Sequence, residues 1–210
     1  MNNTYITSDL HLGHANIMKY CGRTIFMTDK DKEKYNHYLT ASEEEQRSFK
    51  VSKESLYRHD EGIIKRWNER VGKTDKVYHI GDFCFKNSLN RGEGINVTAT
   101  SWRDRLNGEI IFIKGNHDRN NTCKTRIQNL VLNIDNHYIN LVHDPARADM
   151  NYEINLVGHV HNAWVCKRIK QGFSFTDAFN VGVDMHNFYP ITYDEIKNKY
   201  NKWLKGQKHG

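Results

Sequence analysis

The chain is poor in the residues that staple, kink or anchor a protein. Among 210 residues there are four cysteines and two prolines. Cys21, Cys84, Cys123 and Cys166 include no CxxC pair, which argues against a thiolate zinc ribbon and a dense disulfide framework. No apolar run approaches the roughly 18 residues a membrane span needs, so no membrane partner is expected. The opening stretch MNNTYITSD lacks a basic segment followed by an apolar one, so no export signal is read and a cytoplasmic setting is expected. Internal repeats and long linkers are also missing, which leaves residues 1–210 as one domain.

Charge is plentiful but scattered. The formal charge of +6 comes from 31 basic and 25 acidic residues, and permits a polyanionic partner without demanding one. The Lys-rich segment 197–208 reads as the solvated face of a helix. Twelve histidines are the more informative surplus.

A coarse pass gives alternating strands and helices followed by hairpin-like strands, hence a mixed α/β layered domain. A strand is expected over residues 4–8, and a helical stripe follows at Leu56, Ile63, Ile64, Trp67 and Val71. Residues 27–52 read as a peripheral, polar insertion with a capping box at Ser42 and Glu45. KVYHIGDF and EIIFIKGNHD are strands ending in glycine-bearing turns, separated by a helix near 99–106. LVLNIDNHYINLVHDP reads as a hairpin turning at Asp135-Asn136. A second capping box, Thr192 with Glu195, opens the last helix.

Apolar runs end repeatedly in metal-ligand types: Asp9 and His11, Asp82, Asn116 with His117, His143, and His159 with His161. In extended backbone, residues i and i+2 project to one side, so Asp9–His11 and His159–His161 are each expected to aim two ligands at one place. Loops beyond neighbouring strand ends gather in one crevice. Carboxylate, imidazole and amide oxygen suit Mn²⁺, Fe or Zn²⁺, and Ni²⁺ is also compatible; such an imidazole-rich shell does not suit an exclusively Mg²⁺ site. His79, mid-strand and opposed to Asp82, is expected to pack at the core edge with one hydrogen bond.

The ordered set Asp9-Leu10-His11, Gly81-Asp82, Gly115-Asn116-His117-Asp118, His143 and Gly158-His159-Val160-His161 resembles the calcineurin-like metallophosphoesterase family. The framing segments SDLHLGHANIMKYCGR, WNERVGKTDKVYHIGDF and NVGVDMHNFYPIT resemble its compact, phage-type branch, which for a phage-encoded chain implies a host cytoplasm. The likeness covers most of the chain and is weakest over 27–52. It implies a four-layer α-β-β-α sandwich of two mixed β-sheets with a dinuclear metal site at strand ends. Asp9, His11 and His161 would hold one divalent ion, Asn116, His143 and His159 the other, and Asp82 would bridge them. His117 would be the catalytic non-ligand histidine, with Asp118 orienting its ring; the alternative for Asp118 is to brace the loop through backbone hydrogen bonds. Arg23, Arg119, Asn16 and His14 are candidate substrate contacts.

The implied activity is metal-dependent hydrolysis of a phosphate ester, preferably a phosphodiester in a nucleotide or at a nucleic-acid end, with Mn²⁺ expected to serve well. Phosphomonoesterase and protein phosphatase activities are alternatives. So are a non-catalytic metal-binding scaffold, which would have no chemical need for His117, and a nonspecific nucleic-acid binder, for which no aromatic-basic stripe is visible. Oligomeric state is open.

Overall fold

Short β-branched segments and one long amphipathic helix set the frame. A computed structural model of the chain describes residues 3–85, 97–118, 125–134 and 136–207. Strands β1 (Thr4–Thr7), β2 (Lys76–Ile80) and β3 (Glu109–Ile113) pair in parallel, with Tyr5 opposite Val77 and Val77 opposite Ile110. Helices α1 (Ala15–Tyr20) and α4 (Lys53–Arg70) lie in the connection from β1 to β2, and α5 (Ala99–Arg103) in that from β2 to β3. A second sheet has the order β4-β5-β6-β8-β7, built from β4 (Asn129–Ile134), β5 (His137–Val142), β6 (Ile154–Val157), β7 (Cys166–Gln171) and β8 (Ser174–Asn180). Strand β9 (Ile191–Thr192) returns to the first sheet, antiparallel to β1. Both sheets are therefore mixed.

Period-two alternation sorts the apolar residues into two cores. Tyr5 and Val77 face the helices, meeting Ile63, Ile64 and Trp67 of α4 and Ile17 and Met18 of α1. Ile6, Ile80 and Ile113 face the other way and meet Ile139, Leu141, Ile154, Leu156 and Phe179 of the second sheet. Helix α4 begins at Ser52, whose hydroxyl accepts from the Ser55 amide at 3.2 Å, and ends where the Gly72 amide is taken by Asp75.

The expected fourth, helical layer takes another form. On the outer face of the second sheet, the apolar cluster of Val142, Val157 and Ala178 contains no α-helical residue among those described. The loop through the 3₁₀ turn Pro145–Arg147 covers this side instead: Asn155 accepts from the Asp149 amide and donates to the Asp149 carbonyl. The last helix, α6 (Tyr193–Gln207), sends Ile196 and Tyr200 into the core between the sheets. Its Thr192–Glu195 capping box forms as expected.

The 27–52 segment holds α2 (Asp29–Tyr38) and α3 (Glu43–Ser48), the latter on its predicted capping box. It is pinned at several points. Met27 and Phe49 are buried, the Asp31 carboxylate accepts from the Ser52 amide and the Ser55 hydroxyl, and Lys19 donates to the Phe49 carbonyl.

His79 departs from expectation. It is fully buried against Phe83 and Phe112, and neither ring nitrogen has a hydrogen-bond partner among the described residues. Burial pushes its pKa down to about 3, so the ring stays neutral.

Candidate metal centre

The ligand-type residues follow the C-terminal ends of parallel strands β1, β2, β3, β5 and β6, and the two sheets bring those ends together. They do not converge through extended backbone as the i, i+2 argument expected. Asp9, His11, Asp82, His159 and His161 all adopt left-handed conformations, with φ between 47° and 72°. A non-glycine residue there costs free energy, and five at one crevice mark a site whose geometry the surrounding fold enforces. The turns are locked to each other: Asp9 N–H donates to Gly81 O, His11 N–H to Asp82 O, and His159 N–H to the Asp9 carboxylate. Gly158 is required by proximity, since a Cβ there would lie 2.5 Å from Ser8 Oγ and 2.6 Å from Asp9 Oδ2.

Three groups of ligand type result among the described residues: Cys21, His161 and Asp184 form one, and the other two hold the expected residues. Of those two, Asp9, His11 and His161 form one, and Asp82, His143 and His159 the other; within each, the candidate atoms lie within 4.8 Å of one another. Asp82 Oδ2 stands between them, 3.5 Å from His11 Nε2 and 3.3 Å from His143 Nε2. Asn116 Oδ1 joins the second group at 2.9 Å from both His143 Nε2 and His159 Nδ1. All seven ligand-type residues are thus brought together, with Asp82 between the two groups.

The fit to divalent cations can be tested on these atoms. His11 Nε2 is buried without a hydrogen-bond partner and faces two carboxylates, an arrangement that a cation would satisfy. His11 Nδ1 lies 3.2 Å from His14 Nδ1, so a proton placed there leaves Nε2 with its lone pair. His143 donates from Nδ1 to the Ile80 carbonyl, freeing Nε2 in the same way. Two of the ligand-type histidines hold a proton more tightly than a free imidazole does. Burial would depress His143, but the hydrogen bond and charge of Asp82, with the charge of Asp9, raise its pKa to about 9. His161 is raised to about 10, where burial is outweighed chiefly by its hydrogen bond to Asp184.

Asp184 is the residue that sequence reasoning missed. Its Oδ2 accepts from His161 Nδ1 at 3.0 Å, leaving Nε2 as the ring's other nitrogen. It lies in the quoted segment NVGVDMHNFYPIT, but nothing in its own neighbourhood marks it, because its partners are 161 and 23 residues away. Arg23, expected at the substrate, is instead Asp184's clamp. Its Nε and Nη2 bind both Asp184 oxygens at 2.8 Å, while Nη1 and Nη2 donate to the Leu10 and Asp9 carbonyls. Only 1% of it is exposed, so it supports the ligand loops from behind.

Asp118 also takes the other of its two roles. Its Oδ2 accepts from the Asp82 and Gly115 amides and its Oδ1 from the Phe83 amide, which braces two ligand turns against each other. His117 is exposed, its ring centroid 5.4 Å from that of His11, and its amide donates to Asp82 Oδ1. His14 is buried between His11 and Phe85, stacking on the latter at 4.3 Å, so it backs His11 instead of lining an open surface. Asn16 is half-buried in the first turn of α1, and Arg119 lies outside the described residues.

No family model matches the chain. An uncharacterized protein of Methanocaldococcus jannaschii, MJ1445, is 29% identical over 200 residues, covering 93% of this chain and 90% of its own length. The Gene 66 protein of Mycobacterium phage D29 is 29% identical over 119 residues, and the match spans 57% of this chain but only 42% of that protein. The solved structure of AQ665 from Aquifex aeolicus, a protein of unknown function, superposes with a TM-score of 0.57 at 16% identity, over 94% of this chain and 99% of its own. It shares the fold. A solved archaeal phosphodiesterase aligns over 59% of this chain and 74% of its own at 20% identity, with a TM-score of 0.34. That partial overlap establishes nothing further.

Proposed function

We propose that the chain is a divalent-metal-dependent phosphoesterase of the metallophosphoesterase kind, acting by preference on a phosphodiester in a nucleotide or at a nucleic-acid end. The observation that carries this reading is one shared carboxylate, Asp82, between two His/Asp groups, with the exposed His117 beside them. The two mixed sheets fit a metallophosphoesterase-like sandwich. Two bound divalent ions, Mn²⁺ serving well, would activate a water molecule and offset charge growing on phosphate oxygens.

The chain's own residues do the rest. Asp9, His11 and His161 would hold one ion, Asn116, His143 and His159 the other, with Asp82 common to both. The Asp184–Arg23 pair fixes the ring plane of His161, and the Ile80 carbonyl does the same for His143. His117, tethered through its amide to Asp82, would hold a proton toward the leaving oxygen. Asp118 keeps the His117 loop seated on the Asp82 turn.

The test uses metal-stripped protein with bis(p-nitrophenyl) phosphate and p-nitrophenyl phosphate, adding Mn²⁺, Ni²⁺, Zn²⁺ or Mg²⁺ in turn. Diester turnover restored by Mn²⁺ is expected, with kcat falling at least about a hundredfold in His117→Ala. Preferred monoester turnover would make the chain a phosphatase. Two bound ions with no turnover of either ester, nor of nucleotide diesters, would overturn the hydrolase reading.

A further inference from the structure

Beside the second ligand group lies a cavity of about 240 Å³ that the chemistry above leaves unused. Asn116 and His143 of that group line it together with Lys114, Gln128, Asp144 and Arg147. The two cations come from the two loops that supply those ligands. Lys114 directly precedes the Gly115-Asn116-His117 turn, and Arg147 ends the 3₁₀ turn that follows His143. Neither is spent on an acidic partner among the described residues. Lys114 is exposed, and Arg147 gives Nη1 to the neutral Gln128 Oε1 at 3.1 Å, keeping further guanidinium donors available. The opposing charge, Asp144, has one carboxylate oxygen held by the Ala146 amide at 2.9 Å.

Resting on the phosphoesterase reading, we infer that this cavity is a subsite for a second phosphate, the one flanking the scissile phosphate on an oligonucleotide strand. Its size sets the scale of the part of a guest that it encloses. Pockets that enclose a whole drug-sized ligand run from about 300 Å³ upwards, and this one is smaller. It suits a phosphate group with part of its sugar. Its lining matches that guest: a forked guanidinium and an ammonium supply donors to an anion, while no Phe, Tyr or Trp among the described lining residues offers a platform for a base. The subsite makes the preferred substrate a strand carrying at least two successive phosphates, and it places the second phosphate on the Asn116–His143 side.

Binding to the metal-free protein, measured by calorimetry with a thymidine dinucleotide with and without a terminal phosphate, tests this directly. The phosphorylated dinucleotide is expected to bind about ten-fold more tightly, as charge-assisted hydrogen bonds do. That preference should collapse in Lys114→Ala with Arg147→Ala and return in Lys114→Arg with Arg147→Lys. Both positions are exposed, so folding is not at stake. Equal affinity for the two dinucleotides, or a preference that survives the double alanine variant, would overturn the subsite. The readout needs no turnover. A protein inactive on every ester that still prefers the phosphorylated dinucleotide would sink the hydrolase reading and leave the subsite standing.

Discussion

At the scale of single residues, the ligand-type side chains of the centre are set in place by buried groups behind them. Arg23 and Asp184 show it best. The pair is buried, and removing Arg23 leaves the Asp184 carboxylate with His161 as its remaining charged partner; breaking a buried pair in this way costs about 3–5 kcal/mol. Arg23→Met should therefore lower unfolding free energy by about that amount in urea titration; a change under ~1 kcal/mol would mean that the pair is not a structural clamp. Protonation is the second residue-scale lever. In the metal-free protein His143 and His161 are raised from 6.5 to about 9 and about 10. The stability they contribute is complete below 6.5 and is lost as pH climbs through those values. Buried His79 and His186 work oppositely: both are depressed, to about 3 and about 4, mainly by burial, so their contribution is lost as pH falls from 6.5. Metal-free protein should be most stable near pH 6.5. Metal affinity should instead rise with pH, with about two protons released on loading near neutral pH, read from calorimetry in buffers of different ionisation enthalpy. No proton release would refute the cationic state of this histidine pair.

At the scale of elements, the 27–52 segment is polar in composition yet tied at both ends. Helix α2 is joined to the start of α4 through Asp31, whose one oxygen, Oδ2, serves both the Ser52 amide and the Ser55 hydroxyl. Asp31→Ala should loosen α2 and α3 and speed limited proteolysis between residues 27 and 52, while cleavage elsewhere stays slow. Unchanged cleavage would show that the buried Met27 and Phe49 alone secure the segment. The backbone of the ligand turns is the other element-scale result. Composition displays Asp, His and Gly at strand ends, but the left-handed φ values at Asp9, His11, Asp82, His159 and His161 arise only where two sheets lock those turns together.

At the scale of the whole molecule, the candidate ligands come from five strand ends, so a bound cation would make binding and stability one equilibrium. A ligand at a thousand times its Kd stabilises by about 4 kcal/mol. For a chain of this size that amounts to roughly 8–16 °C in Tm. Saturating Mn²⁺ should raise the calorimetric Tm of metal-stripped protein by that order, and a chelator should reverse it. A Tm indifferent to both would count against a bridging centre. The layer order belongs to this scale too. Alternating strands and helices predicted a mixed α/β layered domain, the family resemblance implied a sandwich of two mixed sheets, and both mixed sheets are present. The outer face of the second sheet is nevertheless closed by a loop and a 3₁₀ turn, because α6 is drawn into the core by Ile196 and Tyr200.

By itself the sequence determined the ends of the ligand-bearing strands, two capping boxes and the seven ligand-type residues, since each is written in local spacing: apolar runs, Ser or Thr three residues before Glu, and Gly, Asp or His at the next position. Only the tertiary structure decided what Arg23, Asp118, Asp184 and His14 do. Their partners lie on other strands and loops, and a side chain's chemistry leaves open whether it meets solvent, a backbone amide or a buried charge. Hydrogen bonds between distant segments settle that choice, because a buried charge or polar group must find a partner wherever the fold has placed one.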